Sequence, residues 1–160
     1  MNKNPLIESI IARLKHNQEL LLKAARTAHQ AATDPENRPD NKYETLALES
    51  SYIAQGQANR AQELQQALDL YSNLTVRQFS DTDQVYLTAL VVLESAKGNR
   101  RTLFLGPAAG GLKVDLNNNE VVVITPDSPL GRDLIGKEVG DVIEIKVGNS
   151  LIEYELIDLG

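Results

Sequence analysis

The hydrophobic period of this chain changes once along its length, and that change divides it. Up to about residue 74, apolar residues recur at spacings of three and four. Ile7, Ile10, Leu14, Leu21, Ala24, Ala28 and Ala31 form a first run, and Leu46, Ile53, Ala54, Ala61, Leu64 and Leu68 a second. That spacing marks one face of a helix. Beyond residue 83 the period falls to two. Val85, Leu87, Ala89, Val91 and Leu93 alternate with their neighbours, and 101–105, 112–116, 121–124, 142–147 and 151–157 also read as strands. The expectation is an α+β chain with helical residues 1–75, a polar linker at 76–83 and a compact sheet domain at 84–160.

Between the helical runs lies T-D-P-E-N-R-P-D-N-K-Y, residues 33–43. Neither proline fits a helix interior, so this segment reads as a turn, and two helices of similar length joined by a tight turn run antiparallel. Each helix, at about 28 residues and 1.5 Å per residue, predicts a hairpin roughly 40 Å long. Two helices alone have little core. The pattern leaves open a bundle completed by dimerisation, with Ile7, Leu14 and Leu21 in the seam, and a probe that reaches into another molecule. Gly56 weakens the second helix by about 1 kcal/mol relative to alanine.

Composition narrows the function classes. The net charge of −6 argues against a general binder of nucleic acid or anionic membrane. Aromatic residues are only 4%, with no Trp, so a base-stacking platform is not expected. The chain has no Cys, which removes disulfides and thiolate metal sites. No apolar signal core opens the sequence and no run of about 18 apolar residues occurs, so a soluble cytoplasmic protein is expected. His16 and His29 are too far apart on one helix to share a metal.

The densest motif is T-P-D-S-P-L-G-R-D-L-I-G-K-E-V-G-D, residues 125–141. Ser128 is placed to cap a short helix, Pro129 suits its first position, and Gly136 suits the left-handed residue that ends it. Gly140-Asp141 then turns the chain into the run 142–147. N-N-N at 117–119 and G-N-S at 148–150 have the composition of hairpin turns.

This motif resembles the signature near the C-terminus of the Gre family of bacterial transcript-cleavage factors, and the two-part architecture is similar to that family over the whole chain. The resemblance implies an antiparallel coiled-coil hairpin followed by an FKBP-like C-terminal domain. It implies a monomer that docks on bacterial RNA polymerase at the rim of its secondary channel. The hairpin would enter that channel, and carboxylates at its tip would help hold a second Mg²⁺ and a water at the polymerase active site. The polymerase would then cleave backtracked nascent RNA. Such a factor is no enzyme on its own, has no intrinsic cofactor and shares Mg²⁺ with its partner.

By that resemblance the tip carboxylates are Glu36 and Asp40 first, then Asp34 and Glu44, with Glu36 and Asp40 as the Mg²⁺ ligands. Hard oxygen donors are what a two-metal hydrolysis requires. The same residue types also serve any turn or helix cap. The family tip reads roughly D-x-x-E-N-x-E-Y. With Tyr43 matched to its Tyr, the first acid falls on Glu36, the second on Pro39, the Asn on Asp40 and the last Glu on Lys42. A non-cleaving regulator of the same channel is therefore the alternative function, and a dimeric coiled-coil interaction protein a further one. The resemblance also assigns Ser128, Pro129, Leu130, Arg132 and Lys137 to polymerase docking. It assigns His16, Lys23 and Arg26 to a basic face near the extruded RNA, where a plain solvated helix face is the competing reading. An FKBP-like fold raises prolyl isomerase activity, but only Tyr86, Phe104, Tyr154 and Phe79 are available to line an aromatic pocket, so that activity is not expected.

Overall fold

The structure is a computed structural model that describes residues 2–33 and 41–160; the side chains of residues 28, 32, 33, 41–51 and 54 lie outside that description. Two long helices come first, α1 (Asn4–Thr33) and α2 (Asn41–Ser72). Six strands follow: β1 (Leu90–Ser95), β2 (Arg100–Leu105), β3 (Lys113–Leu116), β4 (Asn119–Ile124), β5 (Val142–Val147) and β6 (Ser150–Leu159), with α3 (Pro129–Leu134) between β4 and β5. The chain is thus α+β. It divides into two compact units, one of Ile11–Asp69 and one of Met1–Ile10 with Leu70–Gly160.

In the helical unit the seam begins where the periodicity puts it, then drifts. Leu14 is buried, but the next buried residue is Ala25, while Ala24 and Ala31 are exposed. The stripe runs 14, 18, 21, 25, which is helical spacing with a glutamine in one place. Gln18 is half-buried, and its Nε2 donates to the Ala61 carbonyl (3.1 Å) and to Gln65 Oε1 (2.9 Å) on α2. On α2, Ala61 and Leu68 are buried, Leu64 is half-buried and Ile53 is exposed. Stepping back from Ala61 by four and then three reaches residues 57 and 54, so Ile53 falls one position, about 100°, off the seam. Leu46 and Ala54 lie outside the described side chains, as does Ala28 on α1.

In the other unit the sheet has the order β3-β4-β2-β1-β6-β5. All neighbouring pairs are antiparallel except β2 and β4, which run parallel, Thr102 opposite Val121 through Leu105 opposite Ile124. Asn117 (φ 52°) and Asn118 (φ 65°) form the two-residue link from β3 to β4, with Leu116 facing Asn119. Two left-handed residues in succession are what a type I′ turn needs, and Asn tolerates them. One face of the sheet carries the main core: Val91, Leu93, Leu103, Leu105, Ile143 and Leu156, closed by Leu134 of α3. The opposite face of β2 and β4 presents Phe104, Val121 and Val123, also buried. Tyr71, at the end of α2, lies beside Gly106 next to Val123, and its hydroxyl donates to the Ala108 carbonyl at 2.8 Å.

The expected strand from Val85 to Leu93 is not continuous: β1 starts only at Leu90. The four residues before it, Tyr86 to Ala89, form a turn, with the Ala89 N–H on the Tyr86 carbonyl and Thr88 in the left-handed region at φ 74°. That conformation is unusual for a β-branched residue. Here it is held from three sides: the Thr88 N–H donates to the Leu105 carbonyl, its Oγ1 accepts the Arg77 N–H, and its carbonyl accepts Lys3 Nζ. Alternation alone carries no sign of such a turn. The residues expected as a polar linker are also held in place. Phe79 packs against the core, and Asp83 accepts from both the main-chain N–H and the hydroxyl of Ser80. The Ser80 N–H, followed by its hydroxyl, lowers the Asp83 pKa.

Candidate functional site

The motif at 125–141 is ordered by its own hydrogen bonds. Ser128 is the N-cap of α3, extended at φ −69° and ψ 154°, and Pro129 follows at the first helical position. Ser128 Oγ accepts the Gly131 N–H (3.1 Å) and donates to the Thr125 carbonyl (2.7 Å). The Ser128 N–H also reaches that carbonyl at 3.1 Å, which makes Thr125 the anchor of the whole turn. After α3, Gly136 is left-handed (φ 84°) and donates to the Val85 carbonyl, while Val85 donates to the Lys137 carbonyl. Glu138 N–H bonds Asp141 Oδ2, and Asp141 leads into β5. Replacing Ser128 with alanine removes the cap and should lower unfolding stability by about 1 kcal/mol. Urea denaturation followed by circular dichroism measures this, and an unchanged midpoint would contradict the capping role.

These bonds sort the side chains assigned to docking. Ser128 spends its hydroxyl inside the turn, and Leu130 packs half-buried against the core. Pro129 and Arg132 are exposed and Lys137 is half-exposed. Arg132 and Lys137 share the rim of one depression of about 500 Å³, with Ile135, Val142 and Leu151. Leu130 faces a different one, beside Arg101 and Lys113. The structure therefore brings Arg132 and Lys137 together and leaves Ser128 and Leu130 in scaffold positions.

On α1, His16, Lys23 and Arg26 are all exposed. Steps of seven and three keep them within about 80° of one another around the helix. Among the described residues no ion pair engages any of the three. Asp34, Glu36 and Asp40 lie outside the described residues. Glu44 lies on α2 with its side chain also outside the description. Among the described residues, no group of three or more His, Asp or Glu is gathered to hold a metal ion, and no helix is long and apolar enough to cross a membrane.

Three residues important to this scaffold escape a reading by pattern. Lys3 is fully buried, its ammonium on the main-chain oxygens of Arg77, Thr88 and Gly160. A Cβ on Gly131 would lie 1.9 Å from the Thr125 carbonyl oxygen, and one on Gly106 2.0 Å from the Tyr71 hydroxyl. For Gly131 a signal existed, since a glycine inside the first turn of a short helix is otherwise unfavourable. For Lys3 there was none.

With this geometry in view, the comparisons are specific. The family profile described as "Transcription elongation factor, GreA/GreB, C-term" matches residues 80–160, the sheet domain together with the capped motif. The chain is similar to transcription elongation factor GreA of Syntrophus aciditrophicus (strain SB), 25% identical over 163 residues, covering 99% of this chain and 96% of that one. It is also similar to GreA of Chloroherpeton thalassium, 30% identical over 78 residues, covering 49% and 46%. Among solved structures it is similar to GreA factor homolog 1 (Gfh1) of Thermus thermophilus, at 21% identity and a TM-score of 0.41, covering 96% and 94%. With its sheet domain and α3 motif matched from end to end, the chain belongs to the GreA/GreB family of transcription elongation factors.

Proposed function

We propose that this chain binds bacterial RNA polymerase at its secondary channel and stimulates cleavage of backtracked nascent RNA. The observation that carries this reading is the family match over residues 80–160, which includes the capped motif. It is supported by two helices of 30 and 32 residues, each about 45 Å long at 1.5 Å per residue and so long enough to reach a buried site. The sheet domain docks through Pro129, Arg132 and Lys137, on the surface that the Ser128 cap holds in shape. His16, Lys23 and Arg26 face the phosphates of the extruded RNA. Glu36 and Asp40, with Asp34 and Glu44 behind them, supply hard oxygen ligands where the polymerase holds a metal weakly. A Mg²⁺ held there would polarise the scissile phosphate and an attacking water. The factor supplies ligands and position while the polymerase supplies the active site, so the chain is an accessory factor rather than an enzyme.

A second reading has its own observation. Pro39 and Lys42 stand where the family tip carries acids. A factor of this kind would occupy the channel and regulate the polymerase without promoting cleavage.

One experiment separates the two. Backtracked complexes are mixed with Mg²⁺ and either the wild-type chain or Glu36→Ala/Asp40→Ala, and RNA cleavage and polymerase binding are measured together. The proposed function expects stimulation by the wild type, and cleavage at the polymerase's own rate with binding retained for the variant. Binding without stimulation by the wild type would replace it with the regulator. No binding by either protein would remove both.

A further inference from the structure

Strand β5 is an edge of the sheet, paired with β6 on one side only. Its sequence, Val-Ile-Glu-Ile-Lys-Val, has neither proline nor glycine to spoil further pairing. The register shows which groups are available. Ile143 and Ile145 point into the core, so Val142, Glu144 and Lys146 lie on the opposite face. The hairpin closes on Val147 opposite Ser150, and the Leu156 N–H bonds the Asp141 carbonyl. In an antiparallel ladder the hydrogen-bonded residues alternate. The odd-numbered residues therefore turn their main-chain groups to β6, and Val142, Glu144 and Lys146 turn theirs outward. An open row of this kind is a template for another strand.

Among the described residues, the charges along this edge have no opposite partner in the same hairpin. Glu144 stands directly opposite Glu153, a like-charge pair, and Lys146 stands opposite Leu151. Among the described residues neither Glu144 nor Lys146 forms an ion pair. Apolar surface accompanies them: Val142, Val147 and Leu151 are all exposed.

We propose that β5 pairs with the β5 of a second copy, antiparallel about a two-fold axis at Ile145, to form one continuous sheet. Charge selects this register. Only outward-facing residues can exchange hydrogen bonds, so three registers are central enough to use most of the strand. Centring on Glu144 sets two carboxylates face to face, and centring on Lys146 sets two ammonium groups face to face. Centring on Ile145 sets Glu144 of each copy opposite the partner's Lys146, twice, and supplies the cation that Glu144 lacks in its own hairpin. It also sets the exposed Val147 against the partner's Ile143, and Ile145 against itself. The interface is one strand wide and hence small, so the association is weak and reversible and concerns the free chain.

Sedimentation equilibrium and amide hydrogen exchange on the full chain test this. The expected result is a concentration-dependent dimer in which the amides of Val142, Glu144 and Lys146 gain protection with concentration. Those of Ile143, Ile145 and Val147, already bonded to β6, should not change. Glu144→Lys or Lys146→Glu alone creates two like-charge contacts and should weaken the dimer by about tenfold. The double exchange Glu144→Lys/Lys146→Glu should restore it, and the two single variants mixed should pair with each other. These are exposed side chains, so folding is not at stake. A monomer at every concentration overturns the proposal. So does a dimer whose strength ignores the charge exchanges, because it would then form through another surface. Because Val142 and Glu144 also line the depression that Arg132 and Lys137 share, the test reads association of the free wild-type chain and its charge variants, and a monomer there leaves the RNA cleavage reading standing.

Discussion

Replacing Lys3 with methionine should destabilise the sheet-containing unit by about 3 kcal/mol, although the two side chains are of similar length. The Lys3 ammonium has three donors and spends them on three main-chain oxygens, those of Arg77, Thr88 and Gly160. It also sits 4.9 Å from the centre of the Phe79 ring, where a cation is favoured. Methionine fills the space but donates nothing: the Gly160 carbonyl keeps the Leu90 N–H, while the Arg77 and Thr88 carbonyls lose the ammonium, and Thr88 is fully buried. That loss reaches further than one contact. Lys3 immediately precedes α1, Arg77 lies in the segment after α2, Thr88 in the strained turn before β1, and Gly160 pairs with Leu90 at the start of β1. One side chain joins four places distant in sequence.

The same site gives a pH dependence with a definite sign. Burial pushes the Lys3 ammonium down from the usual 10.5 to about 8. The three oxygens favour the charged form, but loss of hydration outweighs them. Between about pH 8 and 10.5 the folded chain has released this proton and the unfolded chain still holds it, so stability attributable to Lys3 rises with pH across that window. The gap between wild type and Lys3→Met, measured by denaturation at pH 7 and pH 9, should therefore widen at the higher pH. A gap that narrows would mean that the carbonyl cage, rather than burial, dominates.

Gly131→Ala should cost about 3 kcal/mol or more, far above the ordinary cost of a change at an exposed turn. The added Cβ would lie 1.9 Å from the Thr125 carbonyl oxygen and 2.9 Å from both the Thr125 carbonyl carbon and Ser128 Oγ. The nearest obstacle is main chain, so no flexible side-chain end can swing away. Relief requires α3 to lift off the turn, and that breaks the cap at Ser128 and withdraws Leu134 from the core. Urea denaturation of the variant beside Ser128→Ala separates the causes. Loss of the cap alone is the smaller effect, and an equal cost for the two variants would mean that the turn yields to the methyl group. Because Pro129 and Arg132 are presented by this turn, Gly131→Ala should also weaken polymerase binding under the proposed function, even with the tip intact.

Much of this structure was legible in the chain. Two helices, a following sheet and the turns at Asn117-Asn118 and Gly148-Asn149 came from period and composition, because helix and strand expose residues at different intervals and few residues tolerate left-handed backbone. The cap at Ser128-Pro129 and the stop at Gly136 were equally plain, since both are local rules satisfied by neighbours in sequence. The expected α1 seam holds through Leu21 and then departs by one position, with Ala25 buried where Ala24 is expected. The polar Gln18 occupies a seam position through bonds to Ala61 and Gln65, and an apolar pattern cannot register it. The strand expected from Val85 failed for a different reason. Its first half alternates well but is bent at Thr88 by partners from Lys3, Arg77 and Leu105, each remote in sequence.

What the sequence determined by itself is therefore everything that depends on near neighbours: the helical and extended segments, their caps and turns, and a motif specific enough to place the chain in one family. Tertiary structure decided the parallel pairing of β2 with β4, the inclusion of the first ten residues in the sheet-containing unit, the burial of a lysine among carbonyl oxygens, and the open edge at β5. Each of these depends on groups that meet only after the chain has closed on itself. Hydrogen-bond partners and desolvation are properties of the assembled environment, and no residue carries a local mark of the carbonyl that it will find there.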